Sequence, residues 1–234
     1  MFSIKDLKSQ TQRSKEETNT TINDQELCFH FIKMRYLDSI RKKGLVPIKG
    51  ENCYLICDDR TPKVSYSIGS TAALKMMNSF YEIYLRIQDG RINEDTFNEE
   101  HKQLVKRIQE SNSFEEWAED GVYLIFNRDS IESDTMRDEA EPHDAWTNGT
   151  IPAKALKVCV IRDKSRNGKI VSYSKYDIAS FIASRQPERH ISFFAIDHED
   201  EIEKYKNPKY EIDYLDIDRF YEFVLNRKKS DLEK

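Results

Sequence analysis

The chain has 234 residues, of which 38% are hydrophobic and 34% are charged, and its net charge is −5 at pH 7. This length supplies one good hydrophobic core, and the composition predicts a folded, rather polar, soluble protein. The acidic balance argues against strong non-specific nucleic-acid binding, because that affinity comes mostly from Lys and Arg.

The sequence also predicts the cellular location of the protein. No apolar run approaches the roughly 20 residues that cross a bilayer, so we expect no membrane association. The stretch "MFSIKDLKSQTQRSKEE" has no apolar signal core, which predicts a cytoplasmic location. The four cysteines lie in apolar surroundings and are expected to be buried free thiols. The loose spacing of Cys53 and Cys57, with no second cysteine pair, predicts no metal site.

The first half of the chain begins with a predicted flexible arm over residues 1–25, because its polar stretch cannot bury enough surface to order itself. A single domain is predicted over residues 26–234. It starts with the strand "ELCFHFI", a short helix "RYLDSIRKK" that ends at Gly44, and the strand candidates "CYLIC" and "KVSYS". Apolar residues at three- and four-residue steps predict a helix over 69–87, and "INEDTFNEEHKQLVKRIQES" predicts another.

In the second half, "GVYLIFN", "ALKVCVIRD" and "HISFFAI" are predicted strands, with a hairpin turn at "NGK". "KYDIASFIAS" and "DIDRFYEFVLNRKK" are predicted helices, and the acidic "DHEDEIEKY" is expected to be a hydrated surface that starts a helix. There are no repeats and no Gly/Pro linker. The fold class is therefore predicted to be one mixed α+β domain.

Three segments carry the residues of a candidate site. His30 lies in the first strand, Tyr66 lies in "SYS", and Asp144 precedes an Ile-Pro that leads into a later strand. This order resembles the ADP-ribosyltransferase-like fold, in the branch that carries His, Tyr/Ser and an acid on three strands. Small bacterial ADP-ribosyltransferase toxins and the RNA 2′-phosphotransferases are similar. The resemblance covers roughly residues 26 to 162 and implies a split mixed or antiparallel β-sheet with flanking helices.

The resemblance also implies roles. His30 would hydrogen-bond a ribose of NAD, the Tyr66 ring would pack on nicotinamide, and Asp144 would stabilise the oxocarbenium-like centre as nicotinamide leaves. A fixed carboxylate suits that task because positive charge develops on the ribose. Glu141 is the reserve acid, although Pro142 directly after it fits a strand poorly. The expected NAD-binding residues are His30, Phe31, Ser65, Tyr66 and Ser67.

One departure from the family pattern bears on activity. The third position holds Asp144 where the family carries glutamate, which is longer by one methylene, and a misplacement of about 1 Å can cost roughly 10²-fold in rate. A structural explanation also exists for each of the three residues. His30 suits a satisfied core or surface histidine, Tyr66 alternates with Val64 and suits a core, and Asp144 suits a turn or a cap.

Three functions follow as expectations. The first is an NAD-dependent transferase that modifies a protein or nucleic acid, for instance as a bacterial toxin or defence component. The second is the same fold without chemistry, serving as a binding module. The third is an RNA-directed phosphotransferase, which would need several basic residues to converge on a phosphate. Candidates for contacts with a diphosphate are Arg35, Lys42 and Lys43.

Overall fold

The computed structural model describes residues 27–48, 62–70, 73, 84–91, 106, 110, 121–131, 136–137, 144–185 and 199–232. Several predicted features lie outside the described residues: the arm, the strands "CYLIC" and "HISFFAI", most of the helix "INEDTFNEEHKQLVKRIQES", and Glu141. In the described part, residues 84–88 are helical, within the helix predicted over 69–87.

Eight described strands form one connected sheet, and every pairing between them is antiparallel. The order is β4-β5-β2-β1-β3-β6, and β6 also pairs with β7 and β8. Because β8 pairs along all of β6, the strands β3 and β7 must share the other edge of β6. The strands are β1 (Leu27–Lys33), β2 (Val64–Ile68), β3 (Gly121–Asn127), β4 (Met136–Arg137), β5 (Asp144–Thr147), β6 (Lys157–Asp163), β7 (Lys169–Ser172) and β8 (Tyr210–Asp216).

Four named helices flank the sheet: α1 (Leu37–Lys43), α2 (Lys175–Arg185), α3 (Glu199–Lys206) and α4 (Ile217–Leu232). The described structure therefore confirms the α+β class with an antiparallel sheet. None of the helices in the described part combines the length and hydrophobicity that a bilayer crossing requires.

The end of α1 is fixed by a glycine, as the sequence predicts. Gly44 has φ of 77° and ψ of −172°, a region of backbone conformation that is essentially closed to other residues, and its N–H donates to the carbonyl of Ile40. A Cβ at this position would collide with the backbone carbonyl of Ile151. The next residue, Leu45, exchanges two backbone hydrogen bonds with Ile151, so the chain after α1 is tied to the loop before β6.

Side chains alternate between two buried faces of the sheet. The side of the sheet that carries Phe29 and Tyr123 is called the first face, and α2 and α3 cover it. The side that carries Cys28 and Leu124 is called the second face, and α1 and α4 cover it. Since both faces are covered, β3 is a nearly continuous apolar run, as its sequence predicts.

Candidate functional site

The first candidate residue, His30, lies where β1 and β2 separate. The two strands pair at Cys28 with Ile68 and at Phe29 with Ser67, and the described ladder ends there. One residue later, the Nδ1 atom of His30 is 2.6 Å from the backbone carbonyl oxygen of Ser65. The imidazole thus bonds to β2 at the point where the backbone ladder ends. We call this place the fork.

The partner of His30 determines its tautomer. A carbonyl oxygen only accepts hydrogen bonds, so Nδ1 carries the proton and donates it to Ser65, and Nε2 keeps its lone pair. Burial lowers the pKa of His30, and this effect exceeds the opposing one of the hydrogen bond to Ser65. The ring is therefore neutral at pH 7, and its Nε2 can accept a hydrogen bond or take up a proton.

Tyr66 belongs to the core of the second face. Its side chain is 2% exposed, and its ring packs edge to face against Phe126 with centroids 5.5 Å apart. A nicotinamide ring cannot stack on Tyr66 in this arrangement, so the residue fills the structural role that its alternation with Val64 also suggests. The neighbouring Ser67 is buried, whereas Ser65 is exposed.

The backbone register places Asp144 beside the same pair of strands. Asp144 pairs with Ser67 and Ala145 pairs with Tyr66, so position 144 lies on the first face, opposite to Tyr66. Ser67 in turn pairs with Phe29, one residue before His30. Two strand spacings, roughly 10 Å, therefore separate the backbone at Asp144 from that of β1.

The structure thus brings His30 and Ser65 together. By strand alternation His30 lies on the second face, as Tyr66 does, because Phe29 and Tyr123 define the first face. The backbone position of Asp144 lies on the first face, so the three predicted residues do not share one face of the sheet.

A lysine that sequence reasoning missed lies against the strand that carries His30. Lys175 is fully buried at the start of α2, with its Nζ 3.3 Å from the centroid of the Phe31 ring. Burial lowers the pKa of Lys175 well below its ordinary value, and the charge of Lys33 adds to this. Nothing in the local sequence "YSKYD" distinguishes Lys175 from a solvent-facing lysine, because its burial comes from the packing of α2 on the sheet.

The basic residues that sequence analysis considered for a diphosphate have local contacts. Arg35 donates a hydrogen bond to the hydroxyl of its neighbour Tyr36. Lys42 forms an ion pair with Asp38 at 2.6 Å, while Lys43 is exposed. The described structure therefore does not show these side chains converging on one point.

No protein-family model, curated protein or solved structure matches the chain. The function is therefore inferred from the fold and the local geometry of the described residues.

The described residues contain no group of three or more His, Cys, Asp or Glu that could hold a metal ion. Cys28 and Cys159 are both buried. Burial raises the pKa of the Cys159 thiol, which keeps it protonated and poorly nucleophilic. Cys53 and Cys57 lie outside the described residues.

Proposed function

We propose that this chain is an ADP-ribosyltransferase-like protein that uses NAD as a substrate and transfers ADP-ribose to a protein or nucleic acid. The observation that carries the proposal is the neutral imidazole of His30, fixed at the fork by the 2.6 Å hydrogen bond to Ser65. This bond leaves Nε2 as an acceptor for a ribose hydroxyl, which is the role that the resemblance gives to the first-strand histidine.

The transfer breaks the bond between C1′ of the ribose and the ring nitrogen of nicotinamide. The bonding electrons leave with nicotinamide, so positive charge develops on the ribose. A nucleophile of the target then bonds C1′ and gives up its proton. Asp144 is the residue proposed to stabilise the developing charge, on the resemblance alone, because its backbone position lies on the face opposite to His30.

The buried position of Tyr66 changes one part of the family scheme. At the fork, the exposed residue of the second motif is Ser65, whose carbonyl already holds His30. Ser65 therefore replaces the Tyr66 ring as the proposed ligand contact on β2. Phe31 lies on the first face, where Nζ of Lys175 covers its ring.

The test is incubation of the protein with NAD labelled on its adenylate part and with cell lysate, following both nicotinamide release and transfer of label. His30→Ala and Asp144→Asn are each expected to lower the rate by about 10²-fold or more, since each removes a contact to the reacting ribose. Asp216→Asn is the matched control, because this exposed aspartate ends β8 on another part of the sheet. If the unaltered protein neither releases nicotinamide nor transfers label, the proposal is wrong.

A second candidate function is binding of NAD without chemistry. It is favoured by the burial of Tyr66 and by the shorter Asp144 at the position of a glutamate. In this case, titration calorimetry would show NAD binding that His30→Ala weakens, while Asp144→Asn would leave binding unchanged and no nicotinamide would be released.

A further inference from the structure

A second part of the described structure has the features of a ligand site. A cavity of about 170 Å³ lies on the first face beneath the last turns of α2, and a more open cavity of about 420 Å³ adjoins it. Phe181, Arg185 and Ile212 line both of them. The inner cavity also contacts Phe29, which alternates to the face opposite His30, so this region is distinct from the fork.

The wall of the inner cavity is mostly apolar. Phe29, Phe181 and Ile182 are buried, and Ile212 and Tyr214 from β8 lie on the other side. Ser70 and Arg185 are the polar residues of the lining. An apolar cavity of about 150 Å³ is large enough to bind benzene. The inner cavity is therefore matched in size to one aromatic ring.

Arg185 supplies a charge at the boundary of the two cavities. Its guanidinium lies 5.1 Å from the centroid of the Phe181 ring, and one N–H donates to the carbonyl of Tyr210 at 3.4 Å. Among the residues that the structure describes, no carboxylate forms an ion pair with Arg185. Glu211, which lines the outer cavity, is already paired with Lys164 at 2.7 Å. The remaining N–H groups of Arg185 are thus available to a carboxylate or phosphate.

We propose that these cavities bind a small ligand that combines one aromatic ring with an anionic group. The ring enters the inner cavity between Phe29 and Phe181, and the anion bonds the guanidinium of Arg185. The chemistry fits an aryl carboxylate and an aryl phosphate alike, because both present two coplanar or near-coplanar oxygens to the planar fork of an arginine. This site is independent of NAD binding at His30.

The experiment titrates three probes of similar size into the whole protein: phenylacetate, phenyl phosphate and the uncharged phenylacetamide. Binding is followed by calorimetry and by amide chemical shifts of β8 and α2. Arg185→Gln is expected to weaken the better of the two anionic probes by about tenfold, which corresponds to about 1.4 kcal/mol, and to leave phenylacetamide unchanged. The ratio between the two anionic probes in the unaltered protein assigns the anion as carboxylate or phosphate.

Two further variants make the result decisive. Arg227→Gln is the matched control, because Arg227 is also exposed and also lies over an aromatic ring, that of Tyr173 at 5.9 Å, but does not line the cavities. Ile212→Trp fills the space and is expected to abolish binding of every probe, with circular dichroism to verify folding.

Equal affinity for charged and uncharged probes would overturn the proposal, as would anionic binding that survives Arg185→Gln. In the second case, Arg185 would serve only to complement the dipole at the end of α2. Absence of binding by all three probes at millimolar concentration would overturn it as well.

Discussion

The ammonium nitrogen of Lys175 lies 3.3 Å from the centroid of the Phe31 ring, and the lysine side chain is fully buried. An aromatic face attracts a cation, but burial removes the hydration that a cation needs. The desolvation is the larger effect, because the pKa of Lys175 is lowered well below its ordinary value of 10.5.

This relationship predicts how stability depends on pH. In the window between the lowered folded-state pKa of Lys175 and its unfolded-state value of 10.5, the unfolded chain binds more protons than the folded one. The free energy of unfolding therefore rises with pH across that window, by at most about 1.4 kcal/mol per pH unit from this group. Urea unfolding of the unaltered protein at pH 7 and pH 9 measures the slope.

Lys175→Met is the matched variant for this prediction, because methionine keeps an unbranched chain against Phe31 without the charge. We expect it to reduce the rise in stability between pH 7 and pH 9. The same slope in both proteins would contradict the prediction, since the slope would then come from other groups.

The hydrogen bond between His30 and Ser65 gives a spectroscopic prediction. The imidazole is expected to titrate below 6.5, because burial lowers its pKa, and to carry its proton on Nδ1 when neutral. As pH falls from 6.5 toward the lowered pKa, the unfolded state takes up the proton first, so folded stability is lost in that window. Two-dimensional ¹⁵N spectra of the imidazole, recorded from pH 5 to pH 8, report both the tautomer and the pKa. A proton on Nε2, or a pKa above 6.5, would disprove the geometry of the fork.

Gly44 and Gly90 form a matched pair for testing the close contact after α1. Both have positive φ, 77° and 68°, but a Cβ at Gly90 would meet nothing within 4 Å, whereas one at Gly44 would collide with the carbonyl of Ile151. Gly90→Ala is expected to destabilise by about 1 kcal/mol through backbone strain alone. Gly44→Ala is expected to cost at least about twice as much, measured by urea unfolding. Equal losses would mean that Ile151 moves aside.

Much of the fold follows from local signals in the sequence. The end of α1 at Gly44 and the hairpin between β6 and β7 are confirmed, and in the hairpin Asn167 and Gly168 adopt the positive φ that an Asn-Gly turn requires. The apolar run of β3 is likewise a confirmed strand. In each case a few neighbouring residues determine the conformation, so one sequence is enough to identify it.

The strand β8 is an element that was not predicted from the sequence. Its sequence "YEIDYLD" pairs along the whole of β6, yet the sequence analysis assigned no strand or helix to it. The period-two signal was present: Tyr210, Ile212 and Tyr214 pack toward the first face and alternate with Glu211 and Asp213. The burial of Lys175 had no such signal, because it depends on how distant elements pack.

Tyr66 provides a test that separates the core from the candidate site. Because its ring is 2% exposed and packs against Phe126, Tyr66→Ala is expected to destabilise the protein by about 3–5 kcal/mol. Ser65→Ala, on the same strand but exposed, should change stability by no more than about 0.5 kcal/mol, since its hydrogen bond to His30 uses the backbone carbonyl. Urea unfolding measures both variants, and calorimetry with NAD measures binding in Tyr66→Leu, which keeps an apolar side chain. Unchanged stability in Tyr66→Ala, together with lost NAD binding in Tyr66→Leu, would show that the tyrosine ring belongs to the NAD site and not to the core.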